Sequence, residues 1–162
     1  MSQIIFEKIK KLLDDNQVPY HLLKHEPVYT SEQAARMRGK GIEEGLKRGA
    51  KAMIFKVDDK YVQCIVPAHK IVDIKKVKAL LNAKKVKLAS PEEVLTATDC
   101  EIGSVPPFGN VFNLPVYCDK DLAEEIDFNA GLNDTSMTMK RSDWEKVVKP
   151  IIVEISMERA AS

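Results

Sequence analysis

Lys51 stands in the run Gly49-Ala50-Lys51-Ala52-Met53-Ile54-Phe55, at the head of an apolar strand and between two alanines small enough to leave room for a ligand beside its ammonium. A second run, Gly103-Ser104-Val105-Pro106-Pro107-Phe108-Gly109, cannot be regular structure, because consecutive prolines lack N–H donors and fix φ at about −65°. A stiff loop of this kind can hold the N–H groups of Gly103 and Ser104 toward a carbonyl or an oxyanion. Each feature also has a plain structural counterpart, a strand-edge lysine that deters aggregation and a rigid turn, and the two runs alone leave both open.

Other templates for chemistry are missing. The chain has no phosphate-binding P-loop, no Gly-rich dinucleotide fingerprint after a strand and no His-Glu-x-x-His helix. His21, His25 and His69 are scattered, and His25-Glu26 reads as structural rather than as an acid–base pair; no metal site is expected. Cys64, Cys100 and Cys118 are an odd set whose spacing fits neither a disulfide framework nor a zinc knuckle, so they are expected to be packed hydrophobes in a reducing compartment.

The 162 residues are about one domain's length. The longest apolar runs fall far short of the roughly 20 residues that span a bilayer, and the first residues carry no secretory pattern, so a cytoplasmic protein with no membrane partner is expected. Lys+Arg 25 against Asp+Glu 24 hides a segregation. From Arg36 to Lys87 there are 15 basic and 5 acidic residues, and from Glu92 to Glu145 there are 3 basic and 12 acidic. The densest part, Lys70, Lys75, Lys76, Lys78, Lys84, Lys85 and Lys87 opposed only by Asp73, is the footprint of a phosphate track, or else a solvated helix face.

The elements that must position these groups follow from periodicity and punctuation. Ile5, Ile9, Leu12 and Leu13 predict a helix over 3–15, residues 20–24 a strand, and Thr30-Ser31-Glu32-Gln33 a capped helix to Met37. Gly39, Gly41, Gly45 and Gly49 make 38–49 a mobile basic connector with a helical turn at its middle. Residues 50–57 and 61–66 read as a hairpin. Asp73 caps a helix to about Leu81 that buries Val77, Leu80 and Leu81, and 85–89 is a strand. Ser90-Pro91-Glu92-Glu93 is a full capping box for a helix to Thr98. A strand over 116–118, a helical turn over 120–124, a strand pair over 126–129 and 136–140, and a last helix capped by Ser142-Asp143-Trp144-Glu145 complete the reading. The class is α/β, one domain over 1–162 with a mixed, curved sheet flanked by helices.

The lysine in Gly-Ala-Lys-Ala, the run Leu88-Ala89-Ser90-Pro91-Glu92-Glu93-Val94, the spacing Gly103-x-x-x-Pro107-x-Gly109 and the segment from Phe128 to Ser136 resemble the YbaK/ProX aminoacyl-tRNA deacylases. These are trans-editing factors related to the editing domain inserted in bacterial prolyl-tRNA synthetase. The resemblance runs in order from His25-Glu26-Pro27 to Trp144 and is strongest to the YeaK-like branch, through Met37-Arg38-Gly39, the Ile102–Phe108 loop and Phe128-Asn129-Ala130-Gly131. It implies hydrolysis of tRNA mischarged with a small amino acid (Ala, Ser, Thr, Cys or 2-aminobutyrate), with no cofactor. Lys51 matches the family's essential lysine, and Gly103 and Ser104 would hold the aminoacyl carbonyl. His25, Thr30, Pro107, Gly109, Asn129, Asp134 and Ser136 would bind substrate, and Lys70, Lys75, Lys76 and Lys78 would contact tRNA near its acceptor end. Asn129 stands where alanine-editing members carry histidine, and Ser136 where cysteine-editing members carry aspartate. The implied partners are a mischarged tRNA and an aminoacyl-tRNA synthetase; a non-catalytic tRNA- or synthetase-binding module of the same fold is the alternative.

Overall fold

The computed structural model describes residues 2–159. In chain order its elements are α1 (Ser2–Asp15), β1 (His21–Lys24), α2 (Ser31–Met37), α3 (Ile42–Arg48), β2 (Ala50–Val57), β3 (Lys60–Pro67), β4 (Lys70–Val72), α4 (Ile74–Leu80), β5 (Val86–Leu88) and α5 (Pro91–Thr98). A 3-10 turn (Gly109–Phe112), β6 (Val116–Asp119), β7 (Glu125–Asn129), β8 (Thr135–Lys140), α6 (Arg141–Val148), β9 (Ile151–Val153) and β10 (Ser156–Glu158) follow.

The β2–β3 hairpin is the spine, antiparallel from Ala50 opposite Pro67 to Val57 opposite Lys60. β5 joins the free side of β2 antiparallel, while β6 and then β9 add parallel strands beyond β3, giving a mixed sheet ordered β5-β2-β3-β6-β9. Alternation along a strand sends neighbours to opposite faces. Ile54 and Ile65 therefore pack in the larger core with Ile9 and Leu13 of α1, Phe128 of β7 and Trp144 of α6. Phe55, Val62, Cys64 and Val66 pack in a smaller core with Val77 of α4 and Ile155. β1, β8 and β7 form a separate antiparallel sheet, and β4 pairs with β10. A single parallel bridge, Gly49 to Asp127, links the head of β2 to β7.

The expected caps at Thr30/Gln33, Asp73 and Ser90/Glu93 are all made. Four local expectations need correction. Residues 38–49 hold a helix, α3, whose Gly45 serves close packing: a Cβ there would lie 2.7 Å from the Cβ of Ala35. Leu80 is half exposed rather than core, the α4 contact being made by Val77 and Leu81. Residues 120–124 form a non-helical turn. α6 begins one residue before the expected cap, and Glu145, instead of capping Ser142, accepts from Arg141 Nε at 3.3 Å. The short strands β4, β9 and β10 carry no sequence signal strong enough to announce them, because each is only three residues long.

Candidate functional site

The head of β2, the start of α2, the turn at Glu101–Ser104 and the end of β7 surround a cleft of about 630 Å³. Lys51 and Gly103, far apart in sequence, both line it, as do Thr30 and Asn129. β5 covers the outer side of β2 only from Phe55 to Val57, so the strand edge at Ala50–Met53 is open and lines the cleft. Lys51 is half-buried, and its ammonium has no hydrogen-bond or carboxylate partner among the described residues. Burial, and secondarily the charge of Arg159, push its pKa below the ordinary lysine value. Arg159, from the chain following β10, also lines the cleft and is hung there by Nη2 donating to the Ala68 carbonyl at 3.2 Å; the Ala68 N–H in turn donates to Gly49.

The Gly103–Gly109 loop divides its work. Ser104 N–H closes a turn onto the Glu101 carbonyl at 3.0 Å, and Gly103, with φ +90°, occupies the third position, the geometry of a type II turn that favours glycine. Gly103 N–H has no acceptor among the described residues. Ser104, expected as a carbonyl donor, lies outside the cleft lining, and its N–H and its Oγ, the latter at 2.8 Å, both donate to the Glu101 carbonyl. Pro107 and Gly109 are buried and lie outside the cleft lining. The Pro107 carbonyl accepts from Trp144 Nε1 at 2.8 Å, and Gly109 N–H donates to buried Gln63, whose Nε2 donates to Pro106. Asp134 lies outside the cleft lining, its carboxylate taking the Thr135 hydroxyl and its carbonyl the His25 N–H. His25 and Ser136 sit behind the wall, paired to each other at 2.7 Å. Arg38, quoted in the sequence only as part of a motif, lines the cleft and holds both Asn129 and Ser136.

The description "aminoacyl-tRNA editing domain" belongs to the family model that matches residues 25–147. Along 159 residues, 94% of this chain and 93% of the relative, the sequence is 30% identical to the multifunctional Ser/Thr-tRNA deacylase ProXp-y of Escherichia coli. The chain belongs to the aminoacyl-tRNA editing domain family. It also matches proline–tRNA ligase of a Geobacillus strain, 38% identical over 85 residues, which are 52% of this chain and 15% of the ligase. A candidate trans-editing enzyme for prolyl-tRNA synthetase shares the fold, with TM-score 0.79 at 19% identity over 96% of this chain and 98% of its own.

Beside the cleft of this editing domain lies a dense ion cluster. Asp127, fully buried on β7, accepts from Arg48 Nε at 3.1 Å, Lys40 Nζ at 3.3 Å and the Thr138 hydroxyl. Burial alone would raise its pKa, but Arg48, Thr138 and Lys40 together outweigh that and hold it low. The expected tRNA lysines are not equivalent. Lys70 pairs with Asp121 at 3.2 Å, and Lys76 with Glu154 at 3.7 Å, so the track is opposed by more than Asp73; Lys75 and Lys78 are exposed and unpaired among the described residues. The three cysteines are fully buried, and burial pushes the Cys64 and Cys118 thiols up to about 12 and the Cys100 thiol up to about 11. Among the described residues no group of three His, Cys, Asp or Glu side chains is placed to hold a metal ion, and no helix is long and apolar enough to cross a membrane.

Proposed function

We propose that Lys51 and the Gly103 N–H form the reacting pair of a trans-editing site that hydrolyses the ester between a wrongly attached small amino acid and the terminal adenosine of a tRNA. The chain is an aminoacyl-tRNA deacylase, and the observation that supports this assignment of residues is that Lys51 and Gly103 both line one cleft, the ammonium of the first and the N–H of the second having no partner among the described residues. Water attacks the carbonyl carbon, charge develops on the carbonyl oxygen, and as that intermediate collapses the bond to the ribose oxygen breaks; the ribose oxygen takes up the proton that the water gives up, so the free amino acid and the tRNA hydroxyl are released. The Gly103 N–H donates to the developing oxyanion, and the ammonium of Lys51 supplies positive charge to it or to the adjoining phosphate. Fixed donors of this kind need no reorganisation as the charge forms. The cysteines are unsuited to serve as nucleophiles, since the reactive form is the thiolate and their thiol pKa values lie far above neutrality.

Thr30, Ala52, Met53 and Val105 give the cleft a wall suited to a small side chain, and Lys75 and Lys78 are the lysines free to meet the tRNA backbone. The chain works as a single editing domain in the cytoplasm, where tRNA is charged. Purified protein incubated with tRNAs charged with Ala, Ser, Thr, Cys or 2-aminobutyrate should release at least one of these amino acids well above the spontaneous rate. Saturable binding of these tRNAs with no release of any would overturn the assignment in favour of a binding module.

A further inference from the structure

Glycine has no side chain to hold its peptide planes, so the placement of the Gly103 N–H depends on what grips the turn around it. Asn129 Nδ2 donates to the Gly103 carbonyl at 2.8 Å, tying that residue of the turn to the last position of β7. An amide can do this only with its NH₂ end toward the turn, and its orientation is set from the other side, where Arg38 Nη2 donates to Asn129 Oδ1 at 3.1 Å. Arg38 is itself held: its Nε donates to Ser136 Oγ at 2.9 Å. The Ser136 hydroxyl is in turn hydrogen-bonded to His25 Nε2 at 2.7 Å, and the His25 ring is held from its other side by Nδ1 donating to the Glu26 carbonyl at 2.7 Å. Each link of the relay pairs one donor with one acceptor.

We propose that Arg38 is a positioning residue for the editing reaction, acting through Asn129 to fix Gly103 at the cleft, with Ser136 and His25 fixing Arg38. This rests on the assignment of Gly103 as a carbonyl donor, and it gives Asn129 and Ser136 a role different from contact with substrate. A fork is required at position 38, since two donors diverging from one planar group reach Ser136 and Asn129 together, whereas an ammonium is a single point. Desolvation pushes the Arg38 pKa down while Asp127 opposes the shift, which fits a cation kept inside the wall for its geometry.

Asn129→Asp is the decisive variant. A carboxylate keeps the partner of Arg38 but has no hydrogen to give to the Gly103 carbonyl, so a purely structural tie would survive while the grip on Gly103 is lost. In Asn129→Asp and in Arg38→Lys we expect kcat to fall about 10²-fold, the scale of a misplaced reacting group, with KM for mischarged tRNA within about twofold. The backbone amide resonance of Gly103 in a ¹H–¹⁵N spectrum should move in both variants, while thermal unfolding remains cooperative. Normal kcat in either variant, a rise in KM at unchanged kcat, or an unmoved Gly103 resonance would each overturn the proposal. Inactivity of the unsubstituted protein toward every charged tRNA would instead overturn the functional assignment, and the Gly103 resonance would still decide whether the relay holds the turn.

Discussion

Replacing Lys51 by alanine should separate stability from turnover. No carboxylate among the described residues pairs with its ammonium, so truncation strands no opposite charge. It also removes a half-buried cation that Arg159 already opposes. The expected change in folding free energy is therefore within about 0.5 kcal/mol, the range of substitutions that break no packed or paired feature. If the ammonium stabilises charge developing in the cleft, its loss should cost about 10²–10³ in turnover, or roughly 3–4 kcal/mol of barrier. Lys51→Arg should retain most tRNA affinity but little hydrolysis, because a planar guanidinium keeps the charge and not the point contact. The assay is single-turnover release of labelled amino acid from charged tRNA, with unfolding curves as the fold control. The lowered pKa adds a second handle. A lysine whose folded pKa lies below its unfolded value of 10.5 penalises the fold while charged, and the penalty disappears as pH rises from the folded value toward 10.5. Unsubstituted protein should thus gain stability over that interval relative to Lys51→Met. Near-normal deacylation by a folded Lys51→Ala protein would refute the reasoning.

Asp127→Ala should cost about 3–5 kcal/mol, since it leaves Arg48 and Lys40 facing a buried gap; urea unfolding measures this. The depressed pKa of Asp127 contributes stability that is present above the ordinary carboxylate value of 3.8 and is lost as pH falls through the folded value, so Asp127→Asn should show a flatter acid limb in thermal unfolding. Iodoacetamide at neutral pH should leave deacylation untouched, and a folded variant with all three cysteines changed to serine should stay active; loss of activity in that variant would contradict the packing role. Lys75→Ala with Lys78→Ala should reduce the slope of log affinity for tRNA against log salt, by up to about 0.9 for each phosphate no longer neutralised. Lys70→Ala, whose ammonium is already paired, should change it less.

Signals confined to a few neighbouring residues were the readable ones. Ser90 and Glu93 cap each other three residues apart, Thr30 and Gln33 do the same, and the turn at Asp58-Asp59 separates two apolar runs, so each element could be placed from its own chemistry. Lys51 was conspicuous for the same reason, a charge set between alanines at the head of a strand. Arg38, at the end of α2, was not, because its partners Asn129 and Ser136 lie on β7 and β8, about ninety residues further along the chain, and nothing beside Arg38 announces them. Arg159 reaches the cleft only because β10 pairs with β4, two three-residue strands with no pattern of their own. The glycines of 38–49 misled because Gly45 is there for contact with Ala35, and a close approach between two helices has the same one-letter signature as flexibility. In the Gly103–Gly109 loop the prolines did mark rigidity, but rigidity serves two ends, and only the tertiary partners Gln63 and Trp144 reveal that its second half is scaffold.

The single bridge between Gly49 and Asp127 has a consequence for how this site can vary. Lys51 is carried by the five-stranded sheet and Asn129, which grips Gly103, by the three-stranded one, while the loop that begins at Gly103 is anchored at its far end to Gln63 of β3, so the loop spans a seam that is also crossed by this strand bridge and by the ions around Asp127. A shift of one sheet against the other would act on Gly103 through Asn129 while Gln63 holds the far end of the loop, and it would have to repack the core that Ile54 and Ile65 share with Phe128 and Met137. The span between ammonium and amide is therefore set by the packing along this seam as well as by the reacting residues themselves.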